Sequence, residues 1–257
     1  MTIFYFFIKF LHNPGFFRTD RYKRTPELCS TVEPHIGGTC MNLKEYFSTF
    51  PELKILYNRV KAEYEQKKPI HHNWTHVLRD TGKAIYLGEI EQARMKIVIA
   101  GILLHDIGRL HPEGEEKQHF EIGAEVAPRY LKEAGFTEEE IAAVVQCVLS
   151  NGPRGTVPPR TLEAQICYDV DFSCTAGYVG VGRAFHHFMA EENMNVKDIA
   201  EISKERIIPP RKIITGAGKK WYEEKLHQAQ AFWNQYDEEV HKEEELIKKI
   251  MPWYESD

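Results

Sequence analysis

An almost entirely apolar run that ends in a histidine–aspartate pair constrains this chain most. The run "MKIVIAGILL" occupies residues 95–104 and is followed directly by His105 and Asp106. Such a segment predicts a helix that is buried on all sides. A polar pair at the end of a buried helix is costly unless a partner or a metal ion satisfies it. The rest of the chain must therefore supply partners for these two side chains.

Charge and cysteine usage limit the partners of the chain. The 257 residues carry a formal net charge of -5, so no general positive field favours binding to nucleic acid. The five cysteines include no C-x-x-C pair, and an odd number argues against a disulfide framework. We therefore expect a cytoplasmic protein without a nucleic-acid or membrane partner.

The pattern of apolar residues is helical. Thr137 and Glu140 form a capping box at the start of one amphipathic segment. The segment before it has the same periodicity, with Gly135 at its end and Pro128 as a kink or a break. Residues 218–250 predict a long helix packed on the domain, the alternative being the seam of a homodimer. We predict an all-α fold, a helical bundle with a long C-terminal helix.

The first part of the chain differs from the rest. Residues 3–11 are strongly apolar, but the segment is interrupted by Lys9 and is shorter than the roughly 20 residues that span a membrane. It also lacks the basic start and the cleavage site of a signal peptide. We interpret residues 1–40 as an extension produced by an early start, with Met41 as the natural beginning. Residues 41–257 would then form a single helical domain.

Other predicted helix ends offer side chains that bind metal ions. They are His76, His119, Asp169 and Asp171. Asn73 is placed to cap the helix that carries the first of them. Helical bundles build ligand sites from side chains on facing helices, so these ends can converge on His105 and Asp106. Imidazole and carboxylate ligands together suit Mn, Fe, Ni, Zn or Mg better than Ca.

This order of residues resembles that of the HD-domain metal-dependent phosphohydrolases, including their HDIG-type members. "HNWTHVLRD" resembles the H-x-x-x-H-x-x-R opening of the family, and "AGILLHDIGR" resembles the helix with the name-giving pair. "LEAQICYDVDFSCTAGYVGVGRAF" is similar to the closing segment D-A-D-R-L-D-A-x-G-x-x-G-x-x-R-A-F of one bacterial and archaeal branch. The resemblance covers roughly residues 55–235. It implies an HD-domain helical bundle that binds a divalent ion of Mn, Mg, Fe, Ni, Co or Zn.

The resemblance also implies roles for single residues. The metal ligands would be His76, His105, Asp106 and Asp171. Asp106 would in addition orient the attacking water, and His119 would serve a second metal ion or the substrate phosphate, so both are candidate catalytic residues. Asp169 would not bind the metal ion itself but would orient one of its ligands or a bound water.

Basic side chains near these motifs are candidates for binding the substrate. The candidates for phosphate contacts are Arg79, Lys117 and Arg183. Arg109 is expected to face the dipole at the end of the preceding helix. For His71 and His72, a place in the pocket and a place in a solvated loop remain open.

The chain departs from the pattern of its relatives at four positions. Gln146 and Asn151 stand near positions that hold histidines in related members. Phe172 and Cys174 replace an arginine and an acid of the closing motif. These departures favour an alternative, a catalytically degenerate HD-domain protein that binds metal or nucleotide without turnover.

The preferred interpretation is an enzyme. We expect a metal-dependent phosphohydrolase that cleaves a phosphoester or phosphoanhydride through a metal-activated water. Its substrate would be a nucleotide or another small phosphorylated metabolite. A hydrolase of a non-phosphate substrate that uses the same water is a third alternative.

Overall fold

All regular structure in the described part of the chain is helical, which confirms the all-α prediction. A computed structural model describes residues 41–111, 119–151, 157–190, 192–206, 212–251 and 253. The α-helices are α1 (Leu43–Thr49), α2 (Pro51–Lys67), α3 (Trp74–Ile90), α4 (Met95–Leu104), α5 (His119–Ala134), α6 (Glu138–Leu149), α7 (Leu162–Phe172), α8 (Gly177–Ala190), α9 (Val196–Arg206) and α10 (Gly216–Ile250). Two 3-10 turns, Ile107–Leu110 and Ser173–Thr175, follow α4 and α7. The interpretation of residues 1–40 and the role of Lys117 fall outside the described ranges.

Helix α4 is the centre of the bundle, as the apolar run predicts. Its residues from Ile97 to Leu104 are all buried, and helices α2, α3, α6 and α7 contact it. Full burial of each large aliphatic side chain contributes roughly 1.5–3 kcal/mol of hydrophobic stabilisation. Gly101 permits the close approach of α6, because a Cβ atom there would lie 2.6 Å from that of Cys147. The end of this helix is therefore fixed in the interior, where His105 follows.

The predicted caps fix where the neighbouring helices begin. The side chain of Asn73 accepts a hydrogen bond from the backbone N–H of His76 at 3.1 Å, so α3 starts just before this histidine. The capping box of Thr137 and Glu140 is present at the start of α6. Helix α5 runs through Pro128 without a break.

The long C-terminal helix is present and packs on the domain with its first half. Its buried residues are Gly218, Tyr222, Leu226, Ala229 and Trp233. The last turns carry exposed apolar side chains, including Leu246 and Ile250. The homodimer alternative stays a prediction. None of the helices in the described ranges is both long and apolar enough to cross a bilayer.

Asp169 anchors the start of α10. Its carboxylate accepts hydrogen bonds from the N–H of Ile214 at 2.8 Å, and from the N–H and hydroxyl of Thr215 at 2.8 Å and 2.7 Å. Both carboxylate oxygens are thus used by residues that precede a helix far along the chain. The prediction that Asp169 orients a metal ligand or a water is therefore wrong.

Candidate metal centre

The histidine–aspartate pair turns toward one point at the end of α4. The side chains of His105 and Asp106 are 0% and 3% exposed. Asp106 leaves the helical conformation, with φ −106° and ψ 10°, which lets its carboxylate reach the ring of the preceding residue. The Nδ1–H of His105 donates to the carbonyl of Ile102 at 2.7 Å. The Nε2 atom of His105 is therefore free to face Oδ2 of Asp106 at 3.2 Å.

A histidine from α3 completes a triangle of ligand atoms. Nε2 of His76 lies 3.3 Å from Nε2 of His105 and 3.3 Å from Oδ2 of Asp106. Atoms that bind one ion at about 2.1 Å lie roughly 3.0 Å apart in octahedral and roughly 3.4 Å apart in tetrahedral geometry. Oδ1 of Asp171, from α7, lies 4.0 Å from Nε2 of His105. The structure thus brings together all four residues that the resemblance implied as ligands.

Two further side chains with ligand atoms face this cluster. Oδ2 of Asp80 lies 3.2 Å from Nδ1 of His76. His76 precedes Asp80 by one turn of α3. Nδ1 of His72 lies 2.7 Å from Oδ2 of Asp106, so His72 contacts the cluster. The sequence analysis missed Asp80, although its spacing of four residues from His76 places both on one helical face.

The buried charges of the cluster require a compensating positive charge. Burial alone would lower the pKa of His105, but Asp106, Asp171 and Asp80 outweigh it and raise this pKa to about 10. Burial would raise the pKa of Asp106, but His72, His105 and Arg109 hold it well below its ordinary value. A divalent ion bound here would supply the positive charge that a proton on His105 otherwise provides. The donor set of imidazole nitrogens and carboxylate oxygens therefore fits a divalent transition metal or Mg²⁺.

The second oxygen of Asp106 faces two basic side chains. Nε of Arg109 donates to Oδ1 of Asp106 at 2.8 Å, because the 3-10 turn folds Arg109 back over the carboxylate. The prediction that Arg109 faces the helix dipole is therefore wrong. Nε2 of His119 lies 3.8 Å from the same oxygen and 3.4 Å from Nη2 of Arg109. Burial, followed by the charge of Arg109, lowers the pKa of His119 to about 4, so its ring is neutral near pH 7.

A cavity of about 440 Å³ adjoins the cluster. His76 and Asp80 form part of its wall, and the predicted contacts Arg79 and Arg183 line it as well. Neither arginine forms an ion pair with a carboxylate among the described residues, and Nη2 of Arg183 lies 3.5 Å from Nε2 of His71. Burial, followed by the charge of Arg183, lowers the pKa of Arg79, so the two guanidinium groups repel each other. Two unpaired cations in a cavity favour an anionic ligand.

The remaining departures from the family pattern do not reach the cluster as ligands. The side-chain amide of Asn151 donates to the carbonyl of Cys147 at 2.8 Å, and so caps the end of α6. The ring of Phe172 stacks on that of Tyr168 with centroids 4.0 Å apart. Cys174 lines the cavity, and burial, followed by the charge of Asp171, raises its pKa to about 12.

The part of the chain that carries the cluster matches a known protein family model. Residues 73–172 match the family model of the HD domain, a range that contains all four predicted ligands. This stretch of the chain is therefore similar to an HD domain. A search of curated proteins gave no match.

Several solved structures share the fold. A predicted HD superfamily hydrolase from an uncultured Thermotogales bacterium is 24% identical, with a TM-score of 0.60 over 78% of this chain and 99% of that one. YpgQ of Bacillus subtilis, crystallised with ADP, is 19% identical, with a TM-score of 0.58 over 74% and 95%. An HD-superfamily hydrolase from Bacillus thuringiensis is 22% identical, with a TM-score of 0.58 over 74% and 97%. Because all three identities are below 25%, these similarities show a shared fold and nothing about activity.

Proposed function

We propose that this protein is a metal-dependent phosphohydrolase. Its substrate would be a nucleotide or another small phosphorylated metabolite, cleaved at a phosphoester or phosphoanhydride bond. The observation that carries the proposal is the triangle of His76 Nε2, His105 Nε2 and Asp106 Oδ2 beside a cavity with unpaired arginines. The divalent ion would be Mn, Mg, Fe, Ni, Co or Zn, held by this triangle and Asp171.

The side chains around Asp106 have distinct tasks in this chemistry. When bound, a divalent ion polarises the phosphoryl group and lowers the pKa of a water molecule. The two oxygens of Asp106 face different groups, Oδ2 the histidines and Oδ1 Arg109 and His119. The carboxylate can therefore bind the ion and orient the attacking water together. His119, neutral near pH 7, is placed to hydrogen-bond that water or a phosphate oxygen.

The cavity supplies the contacts to the substrate. Arg79 and Arg183 would bind phosphate oxygens, since planar guanidinium groups hydrogen-bond such oxygens in pairs. Lys83 and Lys225 extend the basic lining, and Trp221 gives one wall an aromatic surface. The ADP complex of the similarly folded YpgQ supports a nucleotide as the ligand.

Loss of phosphate release in Asp106→Ala is the expected result that tests the proposal. We expect the full chain to release phosphate from members of a panel of nucleotides and phosphoesters, given Mn²⁺, Mg²⁺, Ni²⁺ or Co²⁺. Asp106→Ala should reduce the rate by at least about 100-fold, because it removes both a ligand and the group that orients the water. Glu223→Gln, at an exposed acid of α10, should keep the rate. No release from metal-loaded protein across the panel would contradict the proposal.

Variants of the two cavity arginines test the substrate site separately. Arg79→Gln and Arg183→Gln should each raise KM for the substrate by about 10- to 100-fold, as expected from a lost charged hydrogen bond of about 1.5–3 kcal/mol. The metal content of both variants should stay unchanged. Arg129→Gln, at an exposed arginine of α5, serves as the control. Unaltered KM values would place the substrate outside this cavity.

The alternative of a degenerate binding protein has its own signature. It rests on Gln146 and Asn151, which stand near positions that hold histidines in related members, and on Phe172 and Cys174, which replace charged residues of the closing motif. In that case the full chain binds metal and nucleotide, Asp106→Ala weakens metal binding, and no substrate of the panel is cleaved.

A further inference from the structure

A buried carboxylate lies behind one of the proposed metal ligands. Asp80 is 0% exposed, and its Oδ1 accepts a hydrogen bond from Nζ of Lys83 at 2.8 Å. Its Oδ2 lies 3.2 Å from Nδ1 of His76. These last two atoms are both buried, and neither has a hydrogen-bond partner of acceptable angle among the described residues. Because burying an unsatisfied polar atom is costly, the pair of atoms calls for an explanation.

The orientation of the His76 ring supplies that explanation. Nε2 faces the cluster, 3.3 Å from Nε2 of His105 and 3.3 Å from Oδ2 of Asp106. A neutral imidazole has one N–H, so a ring that binds a metal through Nε2 carries its proton on Nδ1. That proton needs an acceptor, and Oδ2 of Asp80 lies 3.2 Å away. The ring of His105 uses its Nδ1–H in the same way, toward the carbonyl of Ile102.

We propose that Asp80 is a positioning residue, which accepts the Nδ1–H of His76 and thereby directs Nε2 to the metal ion. This inference rests on the metal centre of the proposed function and assigns a residue that the family motif does not include. The distance to His105 does not separate Asp80 from the proposed ligand Asp171, since an oxygen of each lies 4.0 Å from Nε2 of His105. The other contacts of Asp80 do separate them, because its Oδ1 accepts from Lys83 and its Oδ2 faces Nδ1 of His76, the ring nitrogen that does not face the cluster.

Lys83 connects Asp80 to the cavity that is proposed to bind the substrate. Its ammonium group binds Asp80 and lines the cavity beside Arg79 and Arg183. The two oxygens of Asp80 thus face different groups, Oδ1 the ammonium of Lys83 and Oδ2 the ring of His76. Carboxylates in this arrangement raise the basicity of a ligating histidine and fix its tautomer.

The test is Co²⁺ binding to the full chain, followed by absorption spectroscopy. Asp80→Ala should weaken Co²⁺ binding by about 10- to 100-fold and change the visible spectrum of the bound ion, because the His76 ring loses its orientation. Asp80→Asn should restore most of the affinity and the original spectrum, since its amide oxygen still accepts the Nδ1–H. An aspartate that acted as a ligand would not be replaced in this way, because an amide is a poor ligand for Co²⁺.

Two matched variants separate positioning from general stability. Asp169→Asn removes another buried aspartate, whose bonds hold α10, and should lower the melting temperature while leaving the Co²⁺ spectrum unchanged. Glu163→Gln changes a further buried acid, which pairs with Arg94, and should also keep the spectrum. If Asp80→Ala shows the original spectrum and affinity, or if Asp80→Asn binds as weakly as Asp80→Ala, the positioning role is overturned. Absence of Co²⁺ binding by the unchanged protein would instead overturn the metal centre of the proposed function.

Discussion

Replacing Gly108 with alanine is expected to destabilise the protein by about 3 kcal/mol, the upper end of the range for overpacked sites. A Cβ atom at this position would overlap the carbonyl oxygen of His119 and lie 2.6 Å from the backbone nitrogen of Gly123. These are backbone atoms of α5 that cannot rotate away, so the whole start of α5 would have to shift. Since α5 begins at His119, the shift would also separate His119 from Asp106, which now lie 3.8 Å apart.

A second glycine variant provides the control for this prediction. Gly82 lies on the exposed side of α3, and a Cβ atom added there meets nothing within 4 Å. Gly82→Ala should therefore stabilise the protein by up to about 1 kcal/mol, through the better helix propensity of alanine. Urea unfolding of both variants measures the two changes in free energy. Equal unfolding midpoints for Gly108→Ala and the unchanged protein would contradict the close contact.

The sequence predicted the helix ends that carry the site, because helix ends are encoded by residues close together in the chain. The apolar run and the capping residue Asn73 determine where α4 ends and α3 begins, and these two points place His105 and His76. The resemblance to the HD family then added Asp171 from a helix much further along the chain. The structure brings these residues together, and their roles as ligands stay predictions that the experiments above address.

The errors concern side chains whose partners depend on non-local geometry. A short 3-10 turn directs the side chain of Arg109 to Asp106. The pattern of apolar residues does not predict this turn. The carboxylate of Asp169 accepts hydrogen bonds from the backbone N–H groups of Ile214 and Thr215. The position of these two residues follows from the packing of α10 on the bundle. Asp80 carried a usable local signal, its spacing from His76, but only burial shows that an acid at this place faces the cluster.

Removal of the divalent ion is expected to have the other large effect, and the effect should grow with pH. An ion present at 100 times its Kd stabilises the folded protein by about 2.7 kcal/mol. Without the ion, a proton on His105 compensates the buried carboxylates, which overcome the effect of burial and raise its pKa from 6.5 to about 10. This contribution is complete below pH 6.5 and is lost as the pH rises toward 10. The metal-free protein should therefore lose stability over this range.

The metal-loaded protein should not follow this loss, because the ion replaces the proton on His105. Urea unfolding with excess Mn²⁺ or with a chelator, at several pH values from 6.5 to 8.5, measures the difference. We expect the stabilisation by metal to increase steadily with pH in the unchanged protein. It should be lost at every pH in His105→Gln, whereas His241→Gln, at an exposed histidine of α10, should behave as the unchanged protein. A stabilisation by metal that is constant across this range would mean that the buried carboxylates do not hold a proton on His105 when the ion is removed.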